Sequence, residues 1–552
     1  METGNSEQIR MRHVWLMLMV VSLFSVSDIL GYYMTHGRGW AEVCGLYCFA
    51  MLKATAFAAG LRLTRRHRIL HIAMRVVTAG YVVLCIINFG CYILYDIGIS
   101  RKLVTILYET NRDEVRQFLP EMWRDIWRLA LSWQTLGWIA AFGVLWILVS
   151  LLPRRVARFL VLAGCLAGVL YFGWYLSAAN WGKSAHFISV RSVMSFRSVA
   201  RNIAAVRELS AKRRELPFAA TAESGHLARR IVLVVGESAS RDHLSLYGYP
   251  LPTTPRMDSL RESLFVFTDA VASSTTTAEN LPRILSFMTD EPGGGEWYEY
   301  PTVLSLFKAM GYSTTWLSNQ ERTGDWSNLS GILSADADRV EYLGSEDSED
   351  HLAGRYDEVL LPAFRDSFSR PDSLQLICLH LMGSHIAYDE RYPKERSRFT
   401  YEDVLGKMPG RKWLDRRKGT TVAQYDNSIA YTDSVLSEVV RELDGSPAPT
   451  LMIYLSDHGE NVYDDRDFRG RDPRYVRVPF IVYANRAYLE DNPDMAGRLR
   501  AAEKLPFSTS GLINMMLTLT GSSYRMYDAT RDVLSPEFIP HVRYVDGEPF
   551  RD

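Results

Sequence analysis

The chain is 552 residues long, 47% hydrophobic and 12% aromatic, which excludes a disordered protein and leaves room for two or three domains. Its net charge of −1 hides a division: residues 1–180 carry 18 Lys/Arg against 10 Asp/Glu, residues 181–230 carry 10 against 3, and the remaining 322 sum to −16. A basic, apolar first part before an acidic second part reads as a membrane anchor bearing an exposed domain. The acidic balance of that second part argues against nucleic acid as a partner.

Five apolar stretches, Val14–Tyr33, Trp40–Leu61, Ile72–Ile97, Leu129–Leu152 and Ala157–Ala179, are each long enough, at about 20 residues, to cross a bilayer as helices. Basic residues sit before the first (Arg10, Arg12), between the second and third (Arg62, Arg65, Arg66, Arg68) and between the fourth and fifth (Arg154, Arg155, Arg158). The positive-inside rule makes those sites cytoplasmic and puts everything after the fifth span outside. Asp28, Glu42, Lys53 and Arg75 fall within spans; snorkelling or pairing inside the bundle accounts for them, and a transport path is the rival reading. The outer loop 98–128 and the stretch 181–220 mix aromatic or aliphatic residues with arginines at near-helical spacing, as expected of segments lying on a membrane surface. Five of the six cysteines lie in the spans and the sixth, Cys378, on a predicted strand, so the outer domain, 221–552, is expected to form no internal disulfide.

That outer domain alternates strand signals (231–235, 264–267, 313–317, 374–381, 451–455, 479–483) with helical ones (302–310, 357–368, 422–443, 508–520). Such alternation predicts an α/β sandwich on a mostly parallel sheet. Two of the strands end on chemistry. The run Thr450–Ser456 stops at Asp457-His458-Gly459-Glu460, and Arg230–Gly236 stops at Glu237; the carboxyl ends of such strands are where open α/β sheets hold metals and substrates. Between them lies SSTTTAENLPRILSF, whose threonines Thr275, Thr276 and Thr277 precede a helix. A hydroxyl at a helix N-terminus beside a divalent metal is an activated nucleophile, whereas alone it is an N-cap. The serine-hydrolase alternative, GESAS at Gly236–Ser240, lacks the last glycine of a nucleophile elbow.

In order behind five spans, VVGESASRDHLSLYGYPLPTTPRMDSL, SSTTTAENLPRILSF, LHLMGSH and YLSDHGE resemble the phosphoethanolamine transferases of Gram-negative inner membranes, in the alkaline-phosphatase superfamily. WLSNQ and TTTAENLPR are closer to the branch that modifies lipopolysaccharide core or periplasmic glucans. The resemblance implies a zinc held by Glu237, Asp457, His458 and the nucleophile Thr277, with a second metal open. It implies transfer of phosphoethanolamine from phosphatidylethanolamine through a phosphothreonine to lipopolysaccharide or an envelope glycan, in a monomer whose outer domain is periplasmic. His385 matches the family histidine near the phosphoryl group, on a second metal or as an acid/base. His380 is placed in the substrate pocket or, equally, in the core as a hydrogen-bonded histidine, and Asn319 in the pocket. In the outer loop, ETNRDEV resembles the family's ETN-x-x-E segment, so Thr110 and Glu114, which share a helix face at i and i+4, are expected to meet the donor's ammonium. Where the family often has a histidine after the Asp-His pair this chain has DFRGRD, which offers Arg469 or Arg471 to a phosphate or an anionic acceptor. Rival readings are a glycerol-phosphate transferase or sulfatase-like hydrolase of the same fold, and a non-enzymatic receptor or transporter. A sulfatase nucleophile belongs in C/S-x-P-x-R, which LPR does not supply, and a receptor with a degenerate domain would have lost one of Glu237, Thr277, Asp457 and His458.

Overall fold

The computed structural model describes residues 227–320, 329–344, 356–371, 374–408, 414–463 and 472–551, and before them 63–95 and 154–175 with isolated positions around these. The chain divides into two compact units, Met1–Asn202 and Ile203–Asp552.

In the first unit a 28-residue helix runs from Arg68 to Tyr95, and its part Arg68–Asn88 is long and apolar enough to cross a membrane. It is the one such helix among the described residues. A second helix, Arg154–Tyr175, occupies most of the fifth expected span. Lys53, an ionisable residue of the second expected span (40–61), donates to the Tyr81 hydroxyl at 3.0 Å. The first and fourth expected spans, almost all of the 98–128 loop, and Thr110 and Glu114 lie outside the described residues.

The second unit is built on a seven-stranded sheet. Its strands are β1 (Arg230–Gly236), β2 (Leu264–Val266), β4 (Ser313–Ser318), β5 (Arg339–Tyr342), β6 (Gln375–His380), β7 (Thr450–Ser456) and β8 (Phe480–Ala484), in the order β2-β8-β7-β1-β6-β4-β5. Two short strands, β3 (Ala270–Val271) and β9 (Phe507–Ser508), pair beside it, and β10 (Tyr544–Val545) and β11 (Glu548–Pro549) form a hairpin at the C-terminal end. From β7 through β5 all pairings are parallel, and β8 alone runs against its neighbours β7 and β2, so the sheet is mostly parallel, as expected, and mixed through that one reversed strand. Parallel pairing needs a long crossover, usually a helix. The described part of the β7–β8 connection offers only the turn Pro473–Tyr475, and the chain returns antiparallel.

Central strands of this kind are apolar on both faces because both are covered. Ile231, Leu233 and Val235 of β1 join Leu451, Ile453 and Leu455 of β7 in one core, while Val232 and Val234 join Met452 and Tyr454 in another on the opposite face. The 29-residue helix Arg416–Asp444, capped by Asp415 whose carboxylate accepts from Lys418 N, packs its second half (Val435, Leu436, Val439, Val440, Leu443) on the latter core. Its first half builds a third cluster, with Val422, Tyr425 and Ile429 against Ala239, Leu244 and Val462. This last cluster lies beside the loops leaving β1 and β7.

Candidate metal centre

β1 and β7 are adjacent, parallel and in register, Gly236 opposite Ser456, so the next residues along each strand, Glu237 and Asp457, leave the sheet side by side. His458 follows at once. Ligand atoms of Glu237, Asp457 and His458 lie within 4.8 Å of one another, and all three residues are buried. His458 Nε2 is 3.3 Å from Glu237 Oε1 and 3.7 Å from Asp457 Oδ2.

The backbone fixes each group. Asp457 Oδ1 accepts from Ser238 N at 3.1 Å and from His458 N at 2.7 Å, leaving Oδ2 buried without a hydrogen-bond partner. His458 Nδ1 lies 2.7 Å from the Gly459 carbonyl, a contact that requires the proton on Nδ1 and turns Nε2 toward the carboxylates. The chain can double back there because position 459 is glycine; a Cβ would stand 2.1 Å from the Arg474 carbonyl oxygen. Glu237 accepts from Ser238 Oγ (2.8 Å, on Oε1) and from Gln320 Nε2 (3.3 Å, on Oε2). Ser238 holds φ 57°, costly for a non-glycine residue, and Tyr425 spans it, donating to Ser238 O at 2.6 Å and accepting from Ser240 N at 2.8 Å.

Of the three threonines, Thr277 reaches this cluster. Its hydroxyl donates to Glu237 Oε2 at 3.1 Å and lies 3.5 Å from His458 Nε2. Thr276 is the N-cap of the helix Thr277–Ile284 with extended backbone, so its side chain leaves in another direction, and the Thr275 hydroxyl is directed to Asp546. Asn280, one turn into the helix, ties the loop down through Ser274 N, Ser274 O and Thr276 O.

Burial, and then the negative charge of Glu237, push the Asp457 carboxyl well above its usual range, with His458 opposing. Two crowded buried acids with one unsatisfied oxygen, an imidazole nitrogen and a hydroxyl form a mixed O/N donor set that fits a divalent cation such as zinc. These residues fit the metal that the family resemblance implies.

The other predicted residues are placed as follows. His380 ends β6, fully buried, with Nδ1 3.2 Å from Ser318 Oγ and Nε2 without a partner; burial pushes it down to about 4. Asn319 donates to Asp357 at 2.9 Å, and it is the neighbouring Gln320 whose side chain reaches Glu237. His385 is half-buried on the turn after β6, where Ser384 N donates to Glu237 O at 2.9 Å and Gly383, at φ 55°, packs so closely on Glu237 that a Cβ would stand 2.7 Å from its carbonyl oxygen. Arg469 and Arg471 lie outside the described residues. Gln320, Asp357, Tyr425 and Asn280 were not singled out from the sequence; Gln320, next to Asn319 in WLSNQ, and Asn280, in SSTTTAENLPRILSF, stood within its motifs, whereas Asp357 and Tyr425 did not.

Residues 229–522 match the Sulfatase family model. The chain belongs to the sulfatase family. Among curated relatives, this sulfatase-family chain is 27% identical over 490 residues to phosphoethanolamine transferase EptC of Escherichia coli O18:K1:H7, covering 83% of this chain and 82% of that one. It is 26% identical over 493 residues to phosphoethanolamine transferase CptA of Salmonella typhimurium, with the same coverage. Among solved structures it resembles the C-terminal periplasmic domain of EcEptC from Escherichia coli in complex with Zn (TM-score 0.51, 29% identity, 59% of this chain and 90% of that one). In fold it also resembles the integral membrane protein lipooligosaccharide phosphoethanolamine transferase A of Neisseria meningitidis (TM-score 0.63, 19% identity, 94% and 97%).

Proposed function

We propose that this protein transfers phosphoethanolamine from phosphatidylethanolamine to lipopolysaccharide or a related envelope glycan, through a phosphothreonine at Thr277. The observation that carries this reading is the Thr277 hydroxyl set against Glu237 and His458, in a chain aligned over 83% of its length with a named phosphoethanolamine transferase. A single zinc ion, held by Glu237, Asp457 and His458, would lower the pKa of an adjoining hydroxyl and offset the charge of a phosphoryl group.

Glu237 Oε2 holds the Thr277 proton through the 3.1 Å hydrogen bond and orients the hydroxyl oxygen. Thr277 Oγ1 forms a bond to phosphorus while the bond from phosphorus to the glycerol oxygen breaks, and diacylglycerol departs with a proton for which His385 is the proposed donor. In the second half an acceptor hydroxyl gives its proton to His385 and attacks the phosphothreonine, the bond from phosphorus to Thr277 breaks, and Thr277 Oγ1 takes back the proton held by Glu237, which restores both residues.

For the chain as a whole we propose a five-span membrane domain (1–180), an interfacial linker (181–220) and a periplasmic catalytic domain (221–552) in the bacterial inner membrane. Exposed Ile69, Val76, Phe159 and Leu162 on its described helices support contact with lipid. Thr110 and Glu114 are proposed to receive the donor's ammonium, and Arg469 or Arg471 an anionic group.

Intact-protein mass after incubation with phosphatidylethanolamine, followed by peptide mapping, tests the mechanism. A phosphoethanolamine adduct on Thr277 is expected, and Thr277→Ala should lose both adduct and turnover. Adducts on Thr275 or Thr276 would reassign the nucleophile, and turnover by Thr277→Ala without any adduct would overturn the covalent route. The sulfatase-type rival predicts sulfate release from aryl sulfates; with a threonine where such enzymes need Cys or Ser, none is expected.

A further inference from the structure

The family match ends at residue 522, yet the chain beyond it returns to the nucleophile loop. We propose that Asp546, on the turn of the C-terminal hairpin, is a positioning residue that sets the attack geometry of Thr277; this rests on the reading of Thr277 as nucleophile. Asp546 and Gly547 have φ 51° and 82°, the paired left-handed conformations of a tight two-residue hairpin turn. That turn presents the Asp546 backbone and carboxylate together to one stretch of chain. Asp546 N donates to Ser273 O at 3.0 Å, Ser274 Oγ donates to Asp546 Oδ1 at 2.5 Å, and Thr275 Oγ1 lies 3.5 Å from Oδ2.

Three consecutive residues just before Thr277 are thus gripped by one side chain and its amide. From the opposite direction Asn280 bonds Ser274 and Thr276, so the loop is clamped between its own helix and the tail. The tail is itself anchored: Tyr544 N donates to Asp290 at 3.1 Å, and Arg543 donates to the Asp269 carboxylate at 2.6 Å with its guanidinium over the Phe550 ring. Ser274 is buried, so without the Asp546 carboxylate its hydroxyl would keep only a long 3.4 Å contact with Thr276 Oγ1, and the loop would rearrange. Thr277, two residues beyond Thr275, must hold its oxygen within hydrogen-bond distance of Glu237 to act. A misplacement of about 1 Å in such a group costs about 100-fold in rate.

The test uses the full-length protein in lipid micelles, following diacylglycerol release from phosphatidylethanolamine and adduct formation on Thr277. Asp546→Ala should lower kcat by about 10- to 100-fold while leaving KM within about twofold. Zinc content and thermal midpoint should match those of Glu548→Ala, a control in the same hairpin expected to turn over like wild type. Asp546→Asn, which keeps one acceptor for Ser274, should recover most of the rate. Ser274→Ala should reproduce the Asp546→Ala defect, and the double variant should be no worse than either single one, because both remove the same contact. Should Asp546→Ala fail to fold, Ser274→Ala decides the matter by the same kcat criterion. Wild-type kcat in Asp546→Ala or Ser274→Ala, a defect confined to KM, or losses that multiply in the double variant would overturn the proposal. If wild type turns over without any adduct, the covalent reading falls, while the ratio of Asp546→Ala to wild type still decides whether the tail positions the loop.

Discussion

Asp457 and Asp357 are two buried aspartates beneath one edge of one sheet, and burial raises the pKa of both. They differ in what meets them. Asp357 accepts from Asn319 Nδ2 at 2.9 Å, Met382 N at 2.8 Å and Gly383 N at 2.9 Å, which favour its charged form and tie down the turn that carries His385. Asp457 has a second acid, Glu237, at its side, and one of its oxygens accepts no hydrogen bond. The first carboxylate is finished by the protein; the second is left for a cation. Burial alone therefore does not mark a metal ligand, whereas a buried acid short of donors beside another acid does.

The largest effects should come from the unfinished side. Asp457→Asn keeps the shape but removes the charge, so metal analysis of the purified variant should find zinc strongly depleted and turnover down by at least about 1,000-fold. If the variant keeps full zinc and activity, the contrast between the two aspartates is wrong.

On the finished side the loss should be one of stability first. Asp357→Ala strands two buried amides and the Asn319 side chain, which is expected to cost about 2–4 kcal/mol in urea unfolding. Turnover should fall about 10- to 100-fold as the His385 turn loosens, with zinc content preserved. Tyr425→Phe is a milder case. It leaves Ser240 N and Ser238 O without their shared partner, at about 1–3 kcal/mol, and releases the strained Ser238 whose amide donates to Asp457. A weakened zinc affinity with the zinc still bound at saturation is the expected readout; wild-type affinity would make Tyr425 a packing residue only.

Much of the metal side was legible in the chain because Glu237 and Asp457 each end a long apolar strand, and parallel strands of equal design bring such ends together. Thr277 was legible from its place before a helix together with the family resemblance. The supporting residues were not. Asp357 reads as the acidic start of a helical pattern, Tyr425 as one more apolar position on a long amphipathic helix, and Asp546 as part of an unremarked tail. Each acts on residues far away in sequence, such as Met382, Ser238 and Ser274, and no local period encodes those meetings. For the same reason β5, a short half-buried RVEY edge strand, carried no hydrophobic run to give it away.

The smallest effect separates His380 from the metal side by pH. His380 is fully buried, its Nε2 has no partner and its ring lies 5.2 Å from that of Trp316, so burial holds its pKa at about 4 although the charge of Glu237 acts the other way. The unfolded chain binds a proton near pH 6.5, and the folded one declines it until about 4. Between those values the unfolded state carries more protons, so the contribution of His380 to stability is fully present above about 6.5 and is lost as the pH falls toward 4. At pH 5 the loss amounts to about 2 kcal/mol. Asp457 works in the opposite sense in the metal-free protein: a carboxyl held above its usual range binds its proton more readily when folded, which favours the native state as the pH falls. Wild type alone would therefore show two slopes superimposed, and the comparison with His380→Gln isolates one of them. The difference in urea midpoint between wild type and His380→Gln should narrow from pH 7 to pH 5. An unchanged difference across that range would mean that His380 is solvated or already partnered in the folded protein, and would return it to the substrate pocket.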